Sequence, residues 1–147
     1  MDAKLAQLKW HFWLLFPESV PAFAADALEA GHDGRQLRRI AGMMRPTRAD
    51  LEPIIDAMFG ELGQLPIADT QAAGIHLAKK VCEQIVSGAI SPYDGANLIW
   101  RTIANRLGQP DELLQFVGLA SEWEDHMNLR DHYDKDIVAA ARTFLGR

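Results

Sequence analysis

SPYDGANLIW, residues 91–100, carries the strongest helix start in the chain. Ser91 is a good N-cap because its hydroxyl can accept from an unpaired N–H of the first turn. Pro92 suits the first helical position because it has no N–H to leave unsatisfied. Asp94, three residues beyond the cap, stands where a carboxylate can bond back to the cap's own N–H, and the positive end of the helix dipole favours its charge. From this start Ala96, Ile99, Trp100, Ile103 and Leu107 recur at three- and four-residue spacing. That period predicts a central helix with one buried stripe, Trp100 included, and with Asn97, Arg101, Asn105 and Arg106 mainly on its other side.

The same reading extends in both directions. Upstream, residues 69–87 form a long amphipathic pattern with Ile75, Ala78, Val81, Cys82, Ile85 and Val86 inward, stopped by Gly88. Before it, residues 47–62 carry the stripe Leu51, Ile54, Ile55, Met58, Phe59 and Leu62, with Pro53 tolerated in the first turn. Short helices are expected over residues 21–30 and 36–43. Residues 2–16 predict an N-terminal helix ended by Pro17, with Leu5, Leu8, Phe12 and Leu15 on one face and Trp10, Trp13 and Phe16 outside it. Downstream, residues 111–125 and 129–145 are helical, the first with Leu113, Phe116, Val117, Ala120 and Trp123 or Met127 inward. No alternating strand pattern and no glycine-rich phosphate loop occurs. The expectation is an all-α, single-domain helical bundle of six to seven helices over residues 1–147, with the aromatic helix 1–16 allowed a peripheral place.

Composition bounds the function. A chain of 147 residues is long enough to bury roughly 68–70% of its unfolded surface without metals or disulfides. The one cysteine, Cys82, has no partner, and no signal peptide is evident, so a cytoplasmic protein is expected. Net charge is −5, against a general nucleic-acid binder. The distribution is polarised: residues 35–48 hold five arginines and no acid, whereas residues 111–136 hold eight carboxylates against Arg130 and Lys135. A membrane partner is not expected, because the apolar run 10–16 is too short to span and Lys4 and Lys9 are the only basic residues of the aromatic helix.

Two segments carry a resemblance. SPYDGANLIW and FVGLASEWED (residues 116–125) are similar to a recurring pair in small uncharacterised bacterial helical proteins, in which an "SPYEGA..IW" element precedes an "F..LASE.ED" element. LEAGHDGRQLRRIAGMM, residues 28–44, resembles the upstream part of the same proteins. The resemblance covers the chain from about residue 22 onward, leaves the first helix outside, and implies a helical fold and a bacterial origin but no activity. Asp94 replaces the usual glutamate, which shortens the reach of the capping carboxylate.

The chemistry concentrates in Glu122, Glu124, Asp125 and His126 at the end of one helix and in Asp131 and His132 at the start of the next. Carboxylates at a helix C-terminus oppose the macrodipole, at about 0.3–1 kcal/mol each when exposed, so a compensating cation is expected. Three sources are open: an arginine of the same chain, from residues 35–48 or Arg101, Arg130 or Arg142; a basic partner protein; or a divalent metal on the shared face of Glu122 and Asp125. Enzyme templates fail on inspection. Glu122 and Asp125 give half of a paired ExxE/ExxD pattern, Glu29 and His32 give one ExxH where a di-iron bundle needs two, and the five histidines show no HExxH spacing. No GxSxG is present.

The expected function is therefore binding of another, basic protein, as an immunity-type inhibitor or an adaptor would, with no cofactor, no metal and no catalysis of its own. Tyr93, Glu122, Trp123, Glu124, Asp125 and Asp131 are the candidate partner-binding residues, the acids for steering and the aromatics as anchors. Self-association through the N-terminal helix is a further expectation. The alternatives are a metal-dependent or hydrolytic enzyme using Glu83, Glu122, Asp125 and a histidine, and a DNA-binding regulator. In the latter, residues 36–44 and the helix from Thr47 would form a helix-turn-helix, with Arg35, Arg38, Arg39, Arg45 and Arg48 on phosphates.

Overall fold

In a computed structural model describing residues 1–147, every regular element is helical. The chain forms nine α-helices joined by short 3-10 turns, against the six to seven expected. Each of the segments read above gives one α-helix except residues 47–62, which break at Pro53 into two, and the short helices over residues 21–30 and 36–43 stand as separate elements. None of the helices is long and apolar enough to cross a membrane. The chain divides into two compact units, Met1–Ala68 and Asp69–Arg147.

The first unit contains α1 (Ala3–His11), α2 (Val20–Glu29), α3 (Arg35–Ala41), α4 (Arg48–Leu51) and α5 (Ile55–Glu61). Its core gathers Ala6 and Trp10 of α1, Leu15, Val20 and Ala24, Leu37 and Ile40 of α3, and Leu51, Ile54, Ile55, Met58 and Phe59. The N-terminal helix is shorter than its apolar run suggests. It ends at His11, and Trp13 takes a left-handed backbone (φ 63) that turns the chain. Trp10 and Phe12 are thereby buried, while Trp13 and Phe16 are 61% and 66% exposed.

Pro53 also breaks more than expected. Thr47 opens α4 with a full capping box, its hydroxyl accepting from Asp50 N while the Asp50 carboxylate accepts from Thr47 N. The bond from Thr47 N, with the Thr47 hydroxyl adding to it, holds the Asp50 carboxyl below the usual carboxylate range. The missing N–H of Pro53 then ends the helix after a single turn, and α5 starts afresh at Ile55. The apolar stripe survives, with Leu51, Ile54, Ile55, Met58 and Phe59 all buried. The long helix a helix-turn-helix needs does not.

The start of α3 is closed by a distant carboxylate. Glu61 accepts from Gln36 N at 2.9 Å and from Leu37 N at 2.8 Å, filling the role that no side chain at Gly34 could fill. It comes close enough that any side chain at Gly34 would have to displace it.

The second unit contains α6 (Thr70–Ser87), α7 (Pro92–Leu98), α8 (Leu114–Asp125) and α9 (Arg130–Phe144). Asp69 caps α6 through Ala72 N, and Gly88, at φ 80, ends it in the left-handed conformation that glycine adopts freely. Leu77, Ala78 and Cys82 of α6, Ala96 of α7, Phe116 and Ala120 of α8, and Ile137 and Ala141 of α9 are fully buried. Phe116 meets Phe144 edge-on at 5.7 Å between centroids. Burial pushes the Cys82 thiol up to about 12, which keeps it protonated and unreactive.

Ser91 caps α7 as expected, accepting from Asp94 N at 3.2 Å. Beyond Leu98, however, the helix loosens into a π-helical segment, Ile99–Ala104. Of the expected stripe, Ala96 before this segment and Leu107 after it stay buried. Ile99, Ile103 and Ala104 are buried, whereas Trp100, expected in the core, lies at its edge and is only half-buried.

Candidate functional site

The residues singled out around Glu122 meet where α7 and the π-helical segment lie against α8 and α9. Tyr93, one residue into α7, stacks on Trp123 of α8, with centroids 3.9 Å apart and planes 17° from parallel. The Arg130 guanidinium lies 3.8 Å from the same indole centroid. Two groups that close to one ring centre occupy opposite faces, so Trp123 is the middle layer of a three-part stack. Its N–H donates to Asp134 Oδ1 at 3.0 Å, and Arg130 Nε donates to its carbonyl at 3.3 Å. Both faces and the polar edge of the indole are committed within the unit.

Glu124 is held equally firmly. It accepts from the Tyr93 hydroxyl at 2.5 Å and from both terminal nitrogens of Arg101, at 2.9 and 3.2 Å. Arg101 in turn bonds Asn97 and lays its guanidinium 3.9 Å over Trp100. The Arg101 bonds, with that of Tyr93, hold the Glu124 carboxyl below the usual carboxylate range; the Glu124 carboxylate raises the Tyr93 hydroxyl in return. This is the intrachain arginine that a carboxylate at the end of α8 calls for. It belongs to the π-helical segment and not to the basic stretch at residues 35–48.

Glu122 finds weaker local partners, His126 Nδ1 at 3.1 Å and the Tyr133 hydroxyl at 3.4 Å. Burial, with Glu122 adding to it, raises the Tyr133 hydroxyl, so it remains a donor. Asp125 and Asp131 differ from both: they are exposed and make no ion pair or side-chain hydrogen bond. Asp131 sits in the first turn of α9, where the helix dipole favours it; Asp125 is the last residue of α8, where the dipole opposes it. Between them in the chain, Met127, read as inward only as the alternative to Trp123, is 73% exposed, and Leu129 is 47% exposed.

The six residues named from sequence thus separate into two sets. Tyr93, Trp123 and Glu124 are tied to one another by stacking and through Arg101; Glu122, Asp125 and Asp131 point outward around an apolar tip. Sequence reasoning named Arg101 and Arg130 only among several candidate arginines, and missed the stacking of Arg130 on Trp123 and the exposure of Met127 and Leu129. The signal for the tip lay in Met127 following Asp125 and His126, which the helical period could not place once α8 had ended. Glu83 of α6 pairs with Lys80 at 3.8 Å, and no three His, Cys, Asp or Glu side chains converge with metal-binding geometry. Compared with protein-family models, curated proteins and solved structures, the chain has no match.

Proposed function

We propose that this chain acts by binding a basic protein through the α8–α9 corner, as an immunity-type inhibitor or an adaptor does. The observation that carries the reading is Asp125: an exposed carboxylate at the unfavourable end of a helix, with no cation of its own. Where its neighbours Glu122 and Glu124 have partners, Asp125 has only solvent. Asp131 and the exposed Met127 and Leu129 give the corner a mixed character, apolar at the tip and acidic at the rim, which suits a contact whose centre excludes water and whose edge steers. The Tyr93–Trp123–Arg130 stack and the Arg101–Glu124 pair support the corner from behind, so little conformational freedom is lost on docking.

The test is affinity capture from a lysate of the source cell with the wild-type chain beside Asp125→Lys/Asp131→Lys, each checked by circular dichroism. A basic protein retained by the wild type and released by the folded variant is the expected result. A partner retained equally by both moves the contact elsewhere and overturns the assignment of the corner.

A further inference from the structure

The last helix carries an outward stripe that its own unit leaves unused. Ile137 and Ala141 of α9 turn into the core, while Asp131, Lys135, Val138, Ala139 and Arg142 fall within about 100° of one another around the helix. Val138 is half-buried and the other four are exposed. With Pro92 of α7 and Asp134, the part of the stripe from Lys135 to Arg142 lines an open groove of about 330 Å3. The stripe is graded in charge. It has a carboxylate at its start, a guanidinium at its end, and Lys135 beside small apolar side chains between them. Asp131, Lys135 and Arg142 make no ion pair or side-chain hydrogen bond, although Asp131 and Lys135 stand at the four-residue spacing that favours one. The helix's other acids are engaged: Asp134 accepts from the Trp123 N–H at 3.0 Å, and Asp136 lies 3.3 Å from His132 Nε2.

We propose that this stripe docks on the same stripe of a second copy of the chain, the two α9 helices running antiparallel about a two-fold axis. With the axis at the level of residues 136–137, Asp131 of each copy faces Arg142 of the other, so that one match serves both ends, as an isologous contact requires. Val138 and Ala139 lie near the middle, where their small size lets the helices approach. Lys135 lays its methylene stem over Val138 of the second copy and keeps its ammonium in water. Within one chain Asp131 and Arg142 stand about 16 Å apart along the helix and cannot satisfy each other.

Charge order selects this occupant. A partner of uniform charge, whether nucleic acid, anionic lipid or a wholly basic or acidic peptide, meets like charge at one end of the stripe. The stripe turned about a two-fold axis meets opposite charge at both. The net charge of −5 opposes association, but at physiological salt a screening length of about 8 Å damps the remote carboxylates and leaves the contact pairs. One helix against one helix is a small contact, so the dimer is weak and reversible. The pairing does not rest on the corner's taking a basic partner. Because Asp131 belongs to both surfaces, such a partner and the second copy compete for it.

The experiment is sedimentation equilibrium of the full chain, alone, up to about 1 mM in moderate salt, where even a weak dimer is populated. A concentration-dependent dimer is expected. Asp131→Arg and Arg142→Glu, each checked by circular dichroism, should each raise its Kd at least about tenfold by setting like charges together at both ends. The two variants mixed in equal amounts should associate again, as should the double variant Asp131→Arg/Arg142→Glu, since both restore opposite charges across the axis. A wild-type chain that stays monomeric throughout overturns the pairing. So does a dimer that neither variant weakens, or one that the mixture fails to restore. Shifts of the Val138 methyl signals with added poly-glutamate, but not with the chain's own concentration, would give the groove to an acidic peptide instead. Because no other protein is present, failure here is separate from failure to capture a basic partner at the corner.

Discussion

Gly34 and the Glu61 carboxylate compete for one space: a Cβ on Gly34 would stand 2.2 Å from both Cδ and Oε1 of Glu61. The backbone at Gly34 is extended, so the requirement is steric and comes entirely from the carboxylate that closes α3. Glu61→Ala is expected to cost about 1–2 kcal/mol by leaving two helix N–H groups unpaired, and Gly34→Ala a similar amount by displacing the same carboxylate. The double variant should cost less than the sum by at least about 0.5 kcal/mol, because the methyl added at position 34 then meets no carboxylate. Urea denaturation of the four proteins measures this; strict additivity would show the two residues acting separately.

The pair of Arg101 and Tyr93 on Glu124 sets a pH dependence whose sign follows from the direction of the shift. Glu124 is held below its ordinary value of 4.5, chiefly by Arg101 and then by Tyr93. A carboxyl with a lower pKa folded than unfolded contributes stability that is fully present above about 4.5 and is lost as pH falls through the depressed folded value. Arg101→Gln should therefore raise the Glu124 titration midpoint, read by carbon-detected NMR of the side-chain carboxyl. Tyr93→Phe should raise it by less. The reverse order would make the tyrosine the principal partner.

Helix type and most of the inward faces were legible because they depend on local chemistry. Ser91, Asp69 and Thr47 cap as their side chains allow, Gly88 stops α6, and Ile85, Phe116 and Ala120 fall inside by period alone. What was not legible depends on partners far away in the chain. The left-handed turn at Trp13 is braced by Arg48, the start of α3 is closed by Glu61, and the π-helical segment that contains Trp100 has no local sequence signal. The corner was half legible: a run of acids is visible in sequence, but only packing decides that Glu124 is claimed by Arg101 while Asp125 is left to solvent.

Gly95, inside the opening motif, is required by an approach of α7 to α6. A Cβ there would lie 2.4 Å from Cγ1 of the buried Ile85 and 2.6 Å from its Cδ1. Gly95→Ala is expected to destabilise by about 1–3 kcal/mol through overpacking, despite alanine's better helix propensity. Trimming the neighbour in Gly95→Ala/Ile85→Ala should cost less than the two single changes together. A stabilised Gly95→Ala would mean that the helices part without loss and that propensity decides.

Asp125 and Asp131 give opposite expectations for stability and the same one for binding. Asp125 ends α8, so Asp125→Asn removes a charge from the negative end of a dipole and should raise stability by about 0.3–1 kcal/mol; Asp131→Asn removes one from the positive end of α9 and should lower it by a comparable amount. Each should nevertheless weaken binding of a basic partner, most strongly at low salt, where charge steering is least screened. Denaturation midpoints for the two variants, set beside their association rates with the captured partner, separate the two effects. A carboxylate whose removal stabilises the fold and slows association is kept for recognition. Loss of stability in Asp125→Asn would instead reveal a favourable contact within the fold and withdraw the support that Asp125 lends to the corner.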